Sequence, residues 1–144
     1  MKFTEELTLR NNGHPLAEWD ALDVGIRAIV DHIDQLSVLL FGKEIVVTSM
    51  ILADGTHASA RMVDIDVDEK NVYGGILPSE ARVIREIVNA AFVYDPARPT
   101  KVVLMYGEND PSGAHYDHMH TQVCWDDRTI ARNKHLRAWL ETFA

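Results

Sequence analysis

Between Leu16 and Leu40, the residues Trp19, Leu22, Ile26, Ile29, Ile33, Leu36 and Leu40 recur at alternating spacings of three and four. That pattern lines one face of a long amphipathic helix. Pro15 suits its first turn and Gly42 its exit. His32 lies off the stripe and reads as solvated. The period then shortens. "EIVVTSMIL" (44–52) is rich in β-branched residues and reads as a central strand. "ADGT" marks a turn, and "RMVDIDV" (61–67) alternates Met62, Asp64 and Asp66 against Val63, Ile65 and Val67, so one face of this strand is apolar and the other carries two carboxylates.

Helical spacing returns in "LPSEARVIREIVNAAF" (77–92), with Val83, Ile84, Ile87, Val88, Ala91 and Phe92 as its apolar positions and Ser79 as N-cap. "YDPARP" is a connector, "KVVLMYG" (101–107) a third strand, "ENDPSG" a loop and "HMHTQVCW" (118–125) a fourth strand. Asp126 or Asp127 caps a last helix from about Arg128 to Phe143. No repeat, low-complexity tract or linker interrupts residues 1–144, so a single α+β domain is the economical reading.

The bulk numbers narrow the function. The chain has 144 residues, 47% of them apolar and 25% charged, as in ordinary globular domains. A net charge of -8 argues against binding nucleic acid or an anionic membrane through a general field. The single cysteine, Cys124, excludes an internal disulfide and a Cys-rich zinc cluster, and "TQVCW" places it as a small core residue. No stretch reaches the length of a membrane span. "MKFTEELTLR" has acidic residues where a secretion signal has its apolar core. The expectation is a protein made in the cytoplasm, reaching a cell wall only by a signal-independent route.

Two stretches carry candidate chemistry. Asp64 sits between Val63 and Ile65, where a carboxylate needs a partner; a cation is an efficient one. Asp66 shares its face, either as a supporting group or simply exposed. In "GAHYDHMHTQV", His115, His118 and His120 fall within six positions, and His118 and His120 project from one strand face. Two histidines and an aspartate are a frequent ligand set for catalytic zinc, leaving a fourth position for water. Zinc lowers the pKa of that water towards ~7 and polarises a scissile carbonyl; a nearby base then takes the proton.

"TSMILADGTHASARMVDIDV" resembles the first zinc motif, S-x-H-x-x-G-x-A-x-D, of the lysostaphin, D-alanyl-D-alanine peptidase and hedgehog metallopeptidase group. "DHMHTQV" resembles the second, H-x-H with a downstream Gln. The ordered pair covers residues 44 to 125. The resemblance implies a small, mainly antiparallel sheet flanked by helices, holding Zn2+ and hydrolysing peptidoglycan stem peptides. D-Ala-D-Ala carboxypeptidases, murein endopeptidases and phage endolysins are of this type. Carried over by position, His57, Asp64 and His120 correspond to the zinc ligands, and His118 to the catalytic or transition-state-stabilising histidine. Asp117 occupies the place of the general base. Strand alternation sets Asp117 opposite His118, so that role requires the strand to begin only at His118.

The chain departs from the motif at Gly55, Ala60 and Met62. Ala60 is tolerable there if its φ is negative. Leu52 stands where many relatives hold an oxyanion-stabilising Arg; that task falls to Arg61, His115 or the zinc, or the site is a poor catalyst. Two alternatives stay open. One is a zinc-binding but non-hydrolytic module, as in hedgehog signalling domains. The other is a histidine-triad-type nucleotidyl transferase or hydrolase using His118, which "GAHYDHMHTQ" also resembles.

Overall fold

The computed structural model describes residues 1–10, 13–50, 60–70, 74–113 and 116–141. The chain is α+β. It opens with strand β1 (Lys2–Phe3), then helices α1 (Glu5–Arg10), α2 (Pro15–Asp20) and α3 (Val24–Phe41). Strands β2 (Val46–Ser49) and β3 (Met62–Asp66), helix α4 (Pro78–Ala91) and the short strands β4 (Phe92–Val93) and β5 (Leu104–Met105) follow. A 3-10 turn at Gly107–Asn109, strands β6 (His118–Gln122) and β7 (Ile130–Ala131), and helix α5 (Lys134–Glu141) complete it.

The main sheet has the order β1-β2-β3-β6-β5. β1 runs parallel to β2, and the remaining pairings are antiparallel. β4 and β7 form a separate two-stranded sheet. Alternation sorts the main sheet into two faces. Val63, Ile65, Met119 and Leu104 join Ile26, Ile29, Val30 and Ile33 of α3 and Ala81, Ile84 and Val88 of α4 in one buried cluster. Met62, Asp64, Asp66, His118, His120 and Gln122 stand opposite one another on the other face. Between Val47, paired with Ile65, and Ser49, paired with Asp64, the register shifts. That bulge turns Ser49 to the polar face.

β5 is an edge strand, and its outward backbone is bound by two side chains. Asn89 of α4 donates to the Leu104 carbonyl at 2.9 Å and accepts from the Leu104 N–H at 3.0 Å. Asn109 donates to the same carbonyl at 2.9 Å and accepts from the Tyr106 N–H at 2.8 Å. The edge is thus satisfied without another strand.

Several boundaries differ from the periodic reading. The long first helix is two, because Asp23 accepts the Gly25 N–H at 2.9 Å and caps a new helix. α4 begins at Pro78 rather than after Ser79; the Leu77 N–H is taken by Glu80 at 2.9 Å. The last helix starts only at Lys134, with Asn133 accepting the His135 N–H at 2.7 Å. The preceding residues instead pair with β4. His32 is half-buried, its ring 5.9 Å from Phe92 and 5.3 Å from Trp139, and burial lowers its pKa. Among the described residues, no helix is long and apolar enough to cross a membrane.

Candidate active site

The β3–β6 ladder sets Asp64 opposite His120 and Asp66 opposite His118. Directly opposed residues on antiparallel strands lie within side-chain reach, and the chemistry follows from that register. Asp64 Oδ1 is 3.0 Å from His120 Nδ1 and 3.9 Å from His118 Nε2. His118 Nδ1 is in turn 2.6 Å from Asp117 Oδ1. The result is a chain of contacts, Asp117–His118–Asp64–His120, running across two strands. Asp64 and His120 are largely buried, at 14% and 9% side-chain exposure, whereas Asp117 is 87% exposed.

This answers the parity question raised by the sequence. The strand begins at His118, and the preceding residue is free to turn its carboxylate back to the His118 ring. The Asp117 carbonyl still accepts the Val67 N–H at 3.0 Å, which anchors the approach to the strand. With Nδ1 directed at Asp117, His118 presents Nε2 to Asp64.

The donor set can be tested against zinc geometry. Ligand atoms about 2.0–2.2 Å from a tetrahedral zinc stand about 3.3–3.6 Å from one another. The two described ligand atoms, Asp64 Oδ1 and His120 Nδ1, are 3.0 Å apart, a few tenths of an ångström short of that value. The short Asp64–His120 contact is a hydrogen bond. Among the described residues, no group of three His, Cys, Asp or Glu side chains forms a complete ligand cluster. His57, the remaining ligand implied by the resemblance, lies outside the described residues, as do His115, Gly55 and Leu52.

Arg61 is not brought to this face. Its guanidinium donates to the Cys124 carbonyl at 2.7 Å and pairs with Asp127 at 3.2 Å and Asp23 at 3.3 Å. It ties the start of β3 to the start of α3, on the helix side of the sheet. Ala60 adopts φ 59. The negative φ that would make alanine easy at this place is therefore not what the fold uses. Met62 is 9% exposed and packs opposite Gln122. Cys124 is buried, but among polar groups: its thiol donates to Asp126 at 2.7 Å and accepts from Arg98 at 3.0 Å.

Two groups near the site, Met105 and Ser49, escaped the sequence reading, and the burial of a third, Asp66, was left open by it. Met105 of β5 stands opposite His120 and borders the polar face. Ser49 pairs with Asp64, and its hydroxyl is buried without a hydrogen-bond partner; only the bulge brings it there. Asp66 is 8% exposed, so it is not simply a surface carboxylate. Burial first, then the charges of Asp68 and Asp117, push its pKa up to about 6, against the opposing effect of His118. The alternation that put Asp66 on the polar face was visible, but its burial depended on Gly75 and Val46, which pack beside it.

No protein-family model matches the chain, and it matches neither a curated protein nor a solved structure.

Proposed function

We propose that the chain is a zinc-dependent peptidase with a hedgehog/D-alanyl-D-alanine-peptidase-like arrangement, acting on peptide bonds of peptidoglycan stem peptides. The observation that carries this reading is the Asp64 carboxylate held between the His120 and His118 rings on adjacent strands. Asp64 and His120 would hold the metal with His57, and a zinc bound there supplies an activated water and a polarised carbonyl. His118 then serves as the proton-moving group. Its Nδ1–H given to Asp117 fixes the tautomer and leaves the Nε2 lone pair facing the reacting centre. Asp117, largely exposed, holds that ring in place and stabilises its protonated form. The buried Asp64–His120 pair keeps the ligand set oriented by the ladder itself, so the sheet does the positioning.

The test is hydrolysis of synthetic stem peptides, with and without a chelator. Release of product that stops with chelator and returns with zinc supports the reading. A zinc-loaded protein with no turnover on any stem peptide moves it to the non-hydrolytic module.

A further inference from the structure

Tyr106 follows β5 with its side chain almost wholly buried, at 1% exposure. Its backbone is engaged on both sides: the N–H bonds Asn109 and the carbonyl accepts from Arg85. Its hydroxyl makes no hydrogen bond among the described residues. A buried phenol ordinarily finds a partner, and one that does not needs an explanation. Burial pushes its pKa up, with the Arg82 charge opposing and the Glu108 and Glu69 charges adding. The group is therefore a neutral hydroxyl, able both to donate and to accept.

Tyr106 lines a cavity of about 480 Å3 on the α4 side of the sheet, between Val67 just beyond β3, Asp117 just before β6 and Arg82 of α4. That volume falls within the ~300–1,000 Å3 of small-molecule sites. Arg82 and Glu69, two of the charges that act on the phenol, line the cavity as well, so the hydroxyl stands at its wall. Tyr116 supplies a second aromatic ring, 6.3 Å from that of Tyr106. It rests on Gly107, where a Cβ would meet its Cε1 at 3.4 Å, and remains 54% exposed. Charge narrows the occupant. Asp68, Glu69 and Asp117 outnumber Lys70 and Arg82 around the cavity, and Arg82 is taken by Glu108 at 2.8 Å. A phosphate or carboxylate is therefore repelled. The ligand that matches these walls is uncharged, has hydroxyls to donate to the carboxylates and an apolar face for the Tyr116 ring. A pyranose ring has all three.

We propose that this cavity is a carbohydrate site, in which Tyr116 stacks on the apolar face of an uncharged pyranose and Tyr106 binds one of its hydroxyls. Asp117 connects it to the ladder: it lines the cavity and also places its Oδ1 2.6 Å from His118 Nδ1. A sugar seated there lies around the end of the sheet from the candidate metal site. On the peptidase reading, on which this step rests, the sugar belongs to the glycan strand that carries the stem peptide. The substrate is then a peptide still attached to glycan rather than a freed one. The carbohydrate site itself needs no zinc.

The experiment is an NMR titration of the full chain with the tetramer of N-acetylglucosamine, an uncharged glycan, with chelator present throughout. Wild type should bind it saturably, with a Kd of about 1 mM or tighter. Tyr116→Ala, at an exposed position, should weaken binding at least about tenfold, and Tyr116→Trp should keep it. Tyr106→Phe removes only the unpartnered hydroxyl; it should weaken binding about threefold or more while leaving Tm unchanged or higher. No binding by wild type overturns the proposal, and so does an affinity unchanged in either Tyr116→Ala or Tyr106→Phe. Zinc content and stem-peptide hydrolysis, measured separately, decide the peptidase reading. Sugar binding by a chain that takes up no zinc removes the enzyme and leaves the carbohydrate site; stem-peptide hydrolysis without sugar binding does the reverse.

Discussion

Replacing Asn89 with alanine tests how the edge of the sheet that carries the site is held. Leu104 is fully buried, and its N–H has Asn89 as acceptor at 3.0 Å. Truncation leaves that donor unpaired in a place water does not reach, at about 1–3 kcal/mol. The Leu104 carbonyl also loses Asn89 but keeps Asn109 at 2.9 Å, so this second loss is one ordinary hydrogen bond, about 0.5–1.5 kcal/mol. The expected destabilisation is about 2–4 kcal/mol, or a fall in Tm of roughly 5–15 °C for a chain of this size. Urea unfolding followed by tryptophan fluorescence reads it directly. Asn109→Ala should cost a similar amount, because it strips the Tyr106 N–H. The double variant is the sharper test. Each single variant leaves the Leu104 carbonyl one partner and the pair leaves it none, so the combined loss should exceed the sum by about 1–2 kcal/mol. If Asn89→Ala lies within about 0.5 kcal/mol of wild type, the edge is not held by these side chains and the reasoning fails.

Three further outcomes follow from particular residues. Ala60→Gly should raise stability by about 0.5–1 kcal/mol, because glycine removes the left-handed penalty at φ 59 and gives back part of the gain as unfolded-state entropy; a lower Tm would contradict this. Glu108, held at about 2 from its usual 4.5 mainly by the Arg85 bond and also by Arg82, stabilises the fold above pH 4.5 and loses that contribution as pH falls towards 2. The stability gap between wild type and Glu108→Gln should therefore be constant above about pH 5 and shrink below 4.5, and a gap independent of pH would show the carboxylate unperturbed. Asp117→Asn keeps the side chain's size while removing its charge; zinc-dependent turnover should drop by more than about a hundredfold with metal retained, whereas near-normal kcat/KM would make Asp117 a surface residue.

What was legible in the chain was what local pattern encodes. The alternation in "RMVDIDV" placed Asp64 and Asp66 on one face, and the spacing of His118 and His120 placed both rings together; the ladder then set the pairs opposite each other. What local pattern does not encode was missed. The break at Asp23 left the hydrophobic stripe unbroken, so only the cap betrays it. Asp126 looked like a helix cap because a carboxylate before a helical pattern suits that role. In the fold it is taken by Arg128 and the Cys124 thiol, and Thr129 binds the Cys124 N–H at 2.7 Å. β1, β4 and β7 are two-residue strands whose identity lies in their partners, not in their own composition. The burial of Asp66 depended on a glycine nine residues later in the chain and on a valine of the neighbouring strand β2.

The central claim is that Asp64 and His120 hold a metal while His118 moves protons beside it. Elemental analysis of zinc in the purified wild-type chain, Asp64→Ala, His120→Ala and His118→Ala tests it most directly. The account predicts about one zinc per chain in wild type and in His118→Ala, the latter with turnover reduced by roughly 10²–10⁴, and almost none in the other two. Zinc retained in Asp64→Ala, or lost from His118→Ala and kept in His120→Ala, would contradict it.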